Sequence, residues 1–149
     1  MVDRAAEGSA GAPFEMEIER GKVYEFASAI KADHPAYFAA SPVAPPTFLT
    51  TTFFWEDRVP GANPWAAVKM DQRRGMHAEQ EYEFFGPPPR AGTKLTCRST
   101  ITRIFDKSGK RGGQMTFVVM ETEFVDAEGK LVARAKMTGV ETAPAPEGE

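Results

Sequence analysis

The chain has 149 residues, a formal net charge of −3 and one cysteine. This length suits one domain with a single hydrophobic core, and the mildly negative charge gives no basic surface for a nucleic acid. A single cysteine excludes a disulfide framework within the chain, so we expect a reducing compartment, the cytoplasm. We find neither a signal-peptide core nor an apolar run long enough to cross a bilayer, so we expect no membrane partner.

The two ends of the chain are predicted to lie outside the folded domain. Residues 1–13 are small, polar and rich in glycine and alanine, and residues 142–149 contain two prolines. Such segments bury too little apolar surface to fold by themselves, which predicts a disordered N-terminal arm and a disordered C-terminal tail. The sequence therefore predicts one domain over residues 14–141.

The first part of this domain is predicted to be a short strand followed by a helix. Residues 14–18 alternate apolar and acidic side chains, as a short strand does. Residues 19–30 repeat apolar side chains at the spacing of an amphipathic helix. Pro35 ends that pattern, because the residue before a proline avoids the helical region. Residues 31–43 are then expected to form a loop.

The run of residues 43–55 carries no charge and includes a proline pair near its start. Proline suits the first turn of a helix, and Phe48, Leu49 and Phe53 then recur at helical spacing. The pattern predicts a buried helix about three turns long, which is too short to span a bilayer. Its threonines and aromatic residues also allow a strand. On the helical interpretation, Phe53 belongs to the core.

The second half of the chain is predicted to be an antiparallel meander. Residues 58–76 are irregular and rich in glycine, proline and asparagine, and a loop of this length often marks a lid or an interface. The segments rich in β-formers that follow are residues 77–85, 95–105, 115–125 and 131–140. Helices followed by such a run of strands indicate an α+β fold, with helices on one face of an antiparallel sheet.

Several segments, taken in order, carry a family resemblance. They are residues 14–30, 44–48, 77–84, 90–95 and 126–132. Across these segments the chain resembles the N-terminal-type domain of MaoC-like dehydratases. It is especially similar to the subunit of heterodimeric (3R)-hydroxyacyl-thioester dehydratases that lacks the catalytic Asp–His pair. The resemblance implies a single hot-dog fold, an antiparallel sheet wrapped around a central apolar helix. It also implies acyl-CoA or acyl-carrier-protein thioesters as substrates, no cofactor, and a second MaoC-like hot-dog subunit or a second copy of the chain as partner.

The catalytic loop of active family members has the form Asp-x-Asn-Pro-x-His, in which a carboxylate and an imidazole act together as acid and base. If Pro35 is the anchoring proline, Ala32 and Tyr37 occupy the aspartate and histidine positions. The resemblance then implies a chain without either catalytic group, which works with a partner that supplies both. A shifted register would instead make Asp33 and His34 the pair, although both are also typical loop-capping residues.

Further residues could take part in function. His77 opens a strand beside the long loop and is a catalytic candidate, although a hydrogen bond at a strand edge is the alternative. With two histidines and one cysteine, we expect no metal site. A shared strand face that we expect to be solvated carries Glu79, Glu81 and Glu83. Substrate contacts are expected along the uncharged run, from Pro45, Pro46, Thr47, Phe48, Phe53 and Trp55.

Two other functions stay open from the sequence alone. The chain could be a homodimeric module that binds an acyl thioester without turnover. It could also be a hot-dog thioesterase in which Asp33 or Asp71 activates water. In each case an exposed sheet edge favours a dimer, because unpaired strand edges tend to find a partner. A neighbouring gene for a MaoC-like chain with the catalytic loop would favour the heterodimer.

Overall fold

The computed structural model describes residues 1–109 and 113–143. Its strands are β1 (Phe14–Glu17), β2 (Gly75–Phe84), β3 (Lys94–Ser108), β4 (Gln114–Val125) and β5 (Leu131–Glu141). They form one antiparallel sheet in the order β1-β3-β4-β5-β2. Helix α1 (Arg20–Ala29) follows β1, and the single turn α2 (Phe53–Glu56) precedes β2. The predicted α+β class is therefore confirmed. None of the described helices combines the length and apolarity needed to cross a bilayer.

The main core lies between the sheet, α1 and the segment that precedes α2. Alternate residues of β3 are buried, as expected for a strand with one covered face. Cys97 is one of them, and burial raises the pKa of its thiol to about 12, so it behaves as a small apolar residue. The largest buried side chains of this core are Met16, Ile18, Val23, Phe48, Leu49, Leu95 and Phe124.

The predicted central helix is shorter and less regular than expected. Residues Phe48–Thr52 form a 3-10 helix, and only Phe53–Glu56 continue as an α-helix. Phe53 is 48% exposed, so its assignment to the core was wrong. The local cause is the run of threonines, because their hydroxyl groups donate to helix carbonyls. Thr51 donates to Phe48 at 2.9 Å, and such back-bonding together with β-branching weakens a regular α-helix.

The N-terminal segment packs on the sheet and differs from the predicted disordered arm. Val2 and Ala6 are buried, and the N–H of Gly11 donates to the Ser99 carbonyl of β3 at 2.8 Å. A Cβ at Gly11 would lie 1.7 Å from the carbonyl oxygen of Ala62. The small residues of this segment suggested disorder, but in the structure they allow it to pack closely against β3 and Ala62. Residues 144–149 of the predicted C-terminal tail lie outside the described residues.

Gly11→Ala is expected to lower the free energy of unfolding by about 1–3 kcal/mol, because the new methyl group would overlap the Ala62 carbonyl. Gly21→Ala is the control: it lies in α1, and its Cβ would meet no atom within 4 Å. That change is expected to be neutral or to stabilise by up to about 1 kcal/mol. Urea unfolding measures both. Equal stabilities of the two variants would contradict the docking of the N-terminal segment.

Candidate functional site

A cavity of about 330 Å³ lies between the sheet and the helical segment that ends in α2. This volume is at the lower end of the range for small-molecule sites. The helical side contributes Leu49, Thr52, Phe53 and Glu56, whose spacing of three and four residues places them on one face. The opposite wall comes from β2, β4 and β5 and comprises Gln80, Tyr82, Met120, Thr122, Phe124, Ala135 and Met137.

The cavity reaches the surface beside β2. Phe53, Thr50 and Gln80 line it and are exposed, so they form its mouth. In the sheet formed by the described residues, β2 is an edge strand whose neighbour is β5. Most β2 side chains are exposed on both faces. The mouth of the cavity therefore lies at an open sheet edge, where a further strand could be added.

One wall of the cavity carries a buried carboxyl group. Glu56 is 5% exposed, and the Ser99 hydroxyl donates to its Oε1 at 2.7 Å. The Ser99 and Thr122 hydroxyl oxygens lie 2.8 Å apart. Because Ser99 has one hydroxyl proton and gives it to Glu56, Thr122 is the donor in this second bond. Burial raises the pKa of Glu56, the Ser99 hydrogen bond opposes that change, and the charge of Asp57 adds to it.

Sequence reasoning missed Glu56, because the uncharged run that predicts the buried segment, residues 43–55, stops just before it. A signal for it was present in the spacing. Glu56 follows Phe53 by three residues and Leu49 by seven, which places it on the face that covers the cavity. Charged side chains are rarely buried without a partner, so the position itself marks Glu56 as a candidate functional residue.

The shifted pair of Asp33 and His34 lies outside the cavity wall. Both side chains are exposed. The Nδ1 of His34 accepts a hydrogen bond from the N–H of Ala36 at 3.2 Å and caps the short 3-10 helix Pro35–Tyr37. The His34 imidazole thus caps the helix, which was the alternative to a catalytic role in the sequence analysis. Its Nδ1 already accepts the backbone hydrogen bond of Ala36.

His77 also stands apart from the main cavity. It is exposed on β2 and lines a separate cleft of about 260 Å³. Within the described residues, this cleft contains no carboxylate that could form a dyad with the His77 imidazole. No set of three or more His, Cys, Asp or Glu side chains in residues 1–109 and 113–143 is placed to hold a metal ion.

Asp71, the other thioesterase candidate, is held in an ion pair. Its carboxylate accepts from Arg73 Nε at 3.0 Å, from Arg73 Nη2 at 2.9 Å and from Arg74 Nε at 3.3 Å. The Arg73 side chain holds the pKa of Asp71 well below its usual range. A carboxylate stabilised in this way is a weak base, which disfavours water activation by Asp71.

The predicted substrate contacts are divided between the cavity, the core and the surface. Of that set, Phe53 lines the cavity as described. Pro45 and Phe48 are buried in the core. The rest are exposed or half-buried and lie outside the cavity wall: Pro46, Thr47 and Trp55.

The indole of Trp65 lies between the cavity and the cleft near His77, together with the side chain of Met137. Trp65 lines both spaces. Its ring lies over Gly139 of β5, where a Cβ would be 2.7 Å from Cη2 and 2.8 Å from Cζ2. The absence of a side chain at Gly139 therefore creates the slot that holds the Trp65 ring.

The sequence matches a known family over most of its length. Residues 5–135 match the family model described as FAS1-like, dehydratase domain region. A UPF0336 protein of Streptomyces coelicolor is 32% identical over 131 residues, which cover 80% of this chain and 85% of that protein. A UPF0336 protein of Saccharopolyspora erythraea is 32% identical over 144 residues, with coverages of 89% and 87%.

Solved structures share the fold. A chain of the C-terminally truncated HadBC (3R-hydroxyacyl-ACP dehydratase) complex from Mycobacterium tuberculosis has a TM-score of 0.72 at 25% identity, covering 91% of this chain and 96% of that one. A MaoC-like dehydratase has a TM-score of 0.74 at 23% identity; the match covers 93% of this chain but 43% of that longer one. The predicted hot-dog fold is thus confirmed, and the chain belongs to the family described as FAS1-like, dehydratase domain region.

Proposed function

We propose that this chain is one subunit of a (3R)-hydroxyacyl-thioester dehydratase, or of an enoyl-thioester hydratase that runs the reaction in reverse. It binds the acyl thioester, carried by CoA or by acyl-carrier protein, while a second hot-dog chain supplies the catalytic Asp and His. No cofactor takes part, because the reaction adds or removes water by proton transfer alone. The observation that carries the proposal is a cavity whose mouth lies at an open sheet edge and whose lining, in residues 1–109 and 113–143, contains no carboxylate–imidazole pair.

The chemistry of hydration requires a group that moves a proton at carbon and a group that activates or releases water. Within the described part of the chain, the cavity wall contains no imidazole. Ala32 and Tyr37 occupy the positions at which the resemblance would place the acid and the base. The 25% identity to a chain of a 3R-hydroxyacyl-ACP dehydratase complex supports the same reaction class.

The open edge of β2 favours a different chain as partner over a second copy. Glu79, Glu81 and Glu83 are exposed and point to the same face of the sheet. If two copies joined β2 to β2 about a twofold axis normal to the sheet, opposite residues would share a face. Glutamates would then oppose glutamates in every register that pairs this stretch with itself, which is destabilising. A partner edge without acidic residues avoids this repulsion.

Backbone geometry identifies a position at which the edge can be blocked. The Phe85 N–H donates to the Val132 carbonyl at 2.9 Å. Because paired residues alternate along an antiparallel ladder, the N–H of Gln80, opposite Met137, points away from β5 towards the open edge. Proline at such a position is compatible with an edge strand. Gln80→Pro therefore removes one outward donor and leaves the pairing with β5 intact.

The test is co-expression with a hot-dog chain that carries the Asp-x-Asn-Pro-x-His loop, followed by sedimentation of the purified protein. We expect a one-to-one complex with the natural chain and with Gln80→Ala, and loss of the complex with Gln80→Pro. A stable monomer at micromolar concentrations in the presence of the partner would contradict the proposal. A complex that tolerates Gln80→Pro would show that the contact is made elsewhere.

A further inference from the structure

The polar groups of the cavity wall differ in how many of their atoms form hydrogen bonds within the protein. Several have a hydrogen-bond partner within the protein: Thr52 with Leu49, Asn63 with Trp65, Gln80 with Lys136, and Thr122 with Ser99. Glu56 supplies the carboxyl group among the described residues of this wall, and Ser99 contacts only its Oε1. Its Oε2 has no hydrogen bond to any residue that the structure describes, and it is open to the cavity, because the fully buried unpaired side-chain atom within these residues is Arg134 Nε. An apolar ligand that filled the cavity would close Oε2 off from solvent without giving it a partner, which costs free energy.

The surroundings of Glu56 favour its neutral form. No Lys, Arg or His in the described ranges forms an ion pair with it, whereas the next residue is the acidic Asp57. Burial is the main cause that raises its pKa. A protonated Glu56 accepts from Ser99 at Oε1 and has its own O–H left to donate. In its neutral form, Glu56 therefore presents an O–H donor to the cavity.

We propose that the cavity binds an acyl group that carries a neutral oxygen substituent, a hydroxyl or a ketone, further along the chain than the 3-hydroxyl of the reaction, and that this substituent forms a hydrogen bond with Glu56. This inference rests on the proposed function for the thioester itself and adds the class of acyl group. A plain alkyl chain would fill the space between Leu49, Phe124 and Met137 but would leave Glu56 Oε2 without a partner. A site built to bond a polar group discriminates strongly against an analogue that lacks it.

The experiment compares the binding of octanoyl-CoA with that of its 4-hydroxy, 6-hydroxy, 8-hydroxy and 7-oxo analogues by titration calorimetry. The full chain is used alone and as the complex with its partner. We expect at least one oxygenated analogue to bind about tenfold or more tightly than octanoyl-CoA. Glu56→Gln, which keeps a donor, should retain that preference. Glu56→Leu, which has a similar size but no polar group, should abolish it and tighten the binding of octanoyl-CoA.

The outcomes separate this inference from the proposed function. Equal affinity for all the compounds, or a preference that survives Glu56→Leu, would overturn the role of Glu56 while thioester binding stands. Tighter binding of 8-aminooctanoyl-CoA than of every oxygenated analogue would also overturn it, because an ionised Glu56 would then be recognising a cation. If no acyl-CoA bound to the chain or to the complex, the proposed function would fail along with the inference.

Discussion

Replacement of Phe48 by alanine is expected to lower the free energy of unfolding by about 3–5 kcal/mol, the usual cost of truncating a fully buried phenylalanine. Phe48 is 0% exposed, and its ring meets the ring of Phe26 edge-on with centroids 5.5 Å apart. It lies at the start of the helical segment 48–56, so its loss would also loosen the support of the cavity wall. Chemical denaturation of the purified variant measures the effect.

The matched control is Phe53→Ala, five residues further along the same segment. Phe53 is 48% exposed and contacts Phe54, with ring centroids 4.3 Å apart. Because much of its surface already faces solvent, we expect a loss of about 1 kcal/mol or less. If Phe53→Ala proved more costly than Phe48→Ala, the orientation of the helical segment in this fold would be wrong.

The second large effect is expected in catalysis. Purified alone, the chain should hydrate crotonyl-CoA at a rate near background, and the complex with the partner should be faster by about 10²–10⁴-fold for each acid or base group gained. The physical reason is that the cavity wall, as far as the structure describes it, lacks an imidazole. Steady-state hydratase assays with crotonyl-CoA and with a longer enoyl-CoA measure the difference.

Variants of the remaining candidate residues serve as controls for that assay. Asp33→Asn and His34→Ala should leave the activity of the complex unchanged, because both side chains are exposed and His34 caps a short helix. Robust turnover by the isolated chain that either change abolished would show that the shifted pair is the true dyad. Turnover lost only with His77→Ala would instead move the active site to the start of β2.

The strands were predictable because their signals are local. In β3, buried and exposed side chains alternate from Lys94 to Ile101, which is the pattern expected for a sheet with one covered face. Turns such as the one at Gly129, which has a φ of +81°, require a residue without a side chain. Helix α1 (Arg20–Ala29) was also predictable from a local signal, the regular spacing of its apolar residues, and it lies within the predicted residues 19–30.

The features that the sequence did not predict depend on contacts between distant segments. The N-terminal segment is held by hydrogen bonds to β3 and by the bond from the Ala12 N–H to the Gly61 carbonyl at 2.8 Å, about fifty residues away in the chain. Burial of Glu56 depends on Ser99, which lies 43 residues further along. Local propensity contains no information about either contact. Composition therefore suggested disorder for the N-terminal segment, and the predicted buried run ended one residue before Glu56.

The slot at Gly139 has a consequence for the length of ligand that the cavity could admit, if it binds an acyl chain as proposed. Trp65 and Met137 line both the cavity and the neighbouring cleft. Rotation of the indole out of its slot would therefore change the boundary between the two spaces. A side chain larger than hydrogen at position 139 would displace the ring, because its Cβ would lie 2.7 Å from Cη2. Such a substitution would alter the reach of the cavity through the position of one aromatic ring.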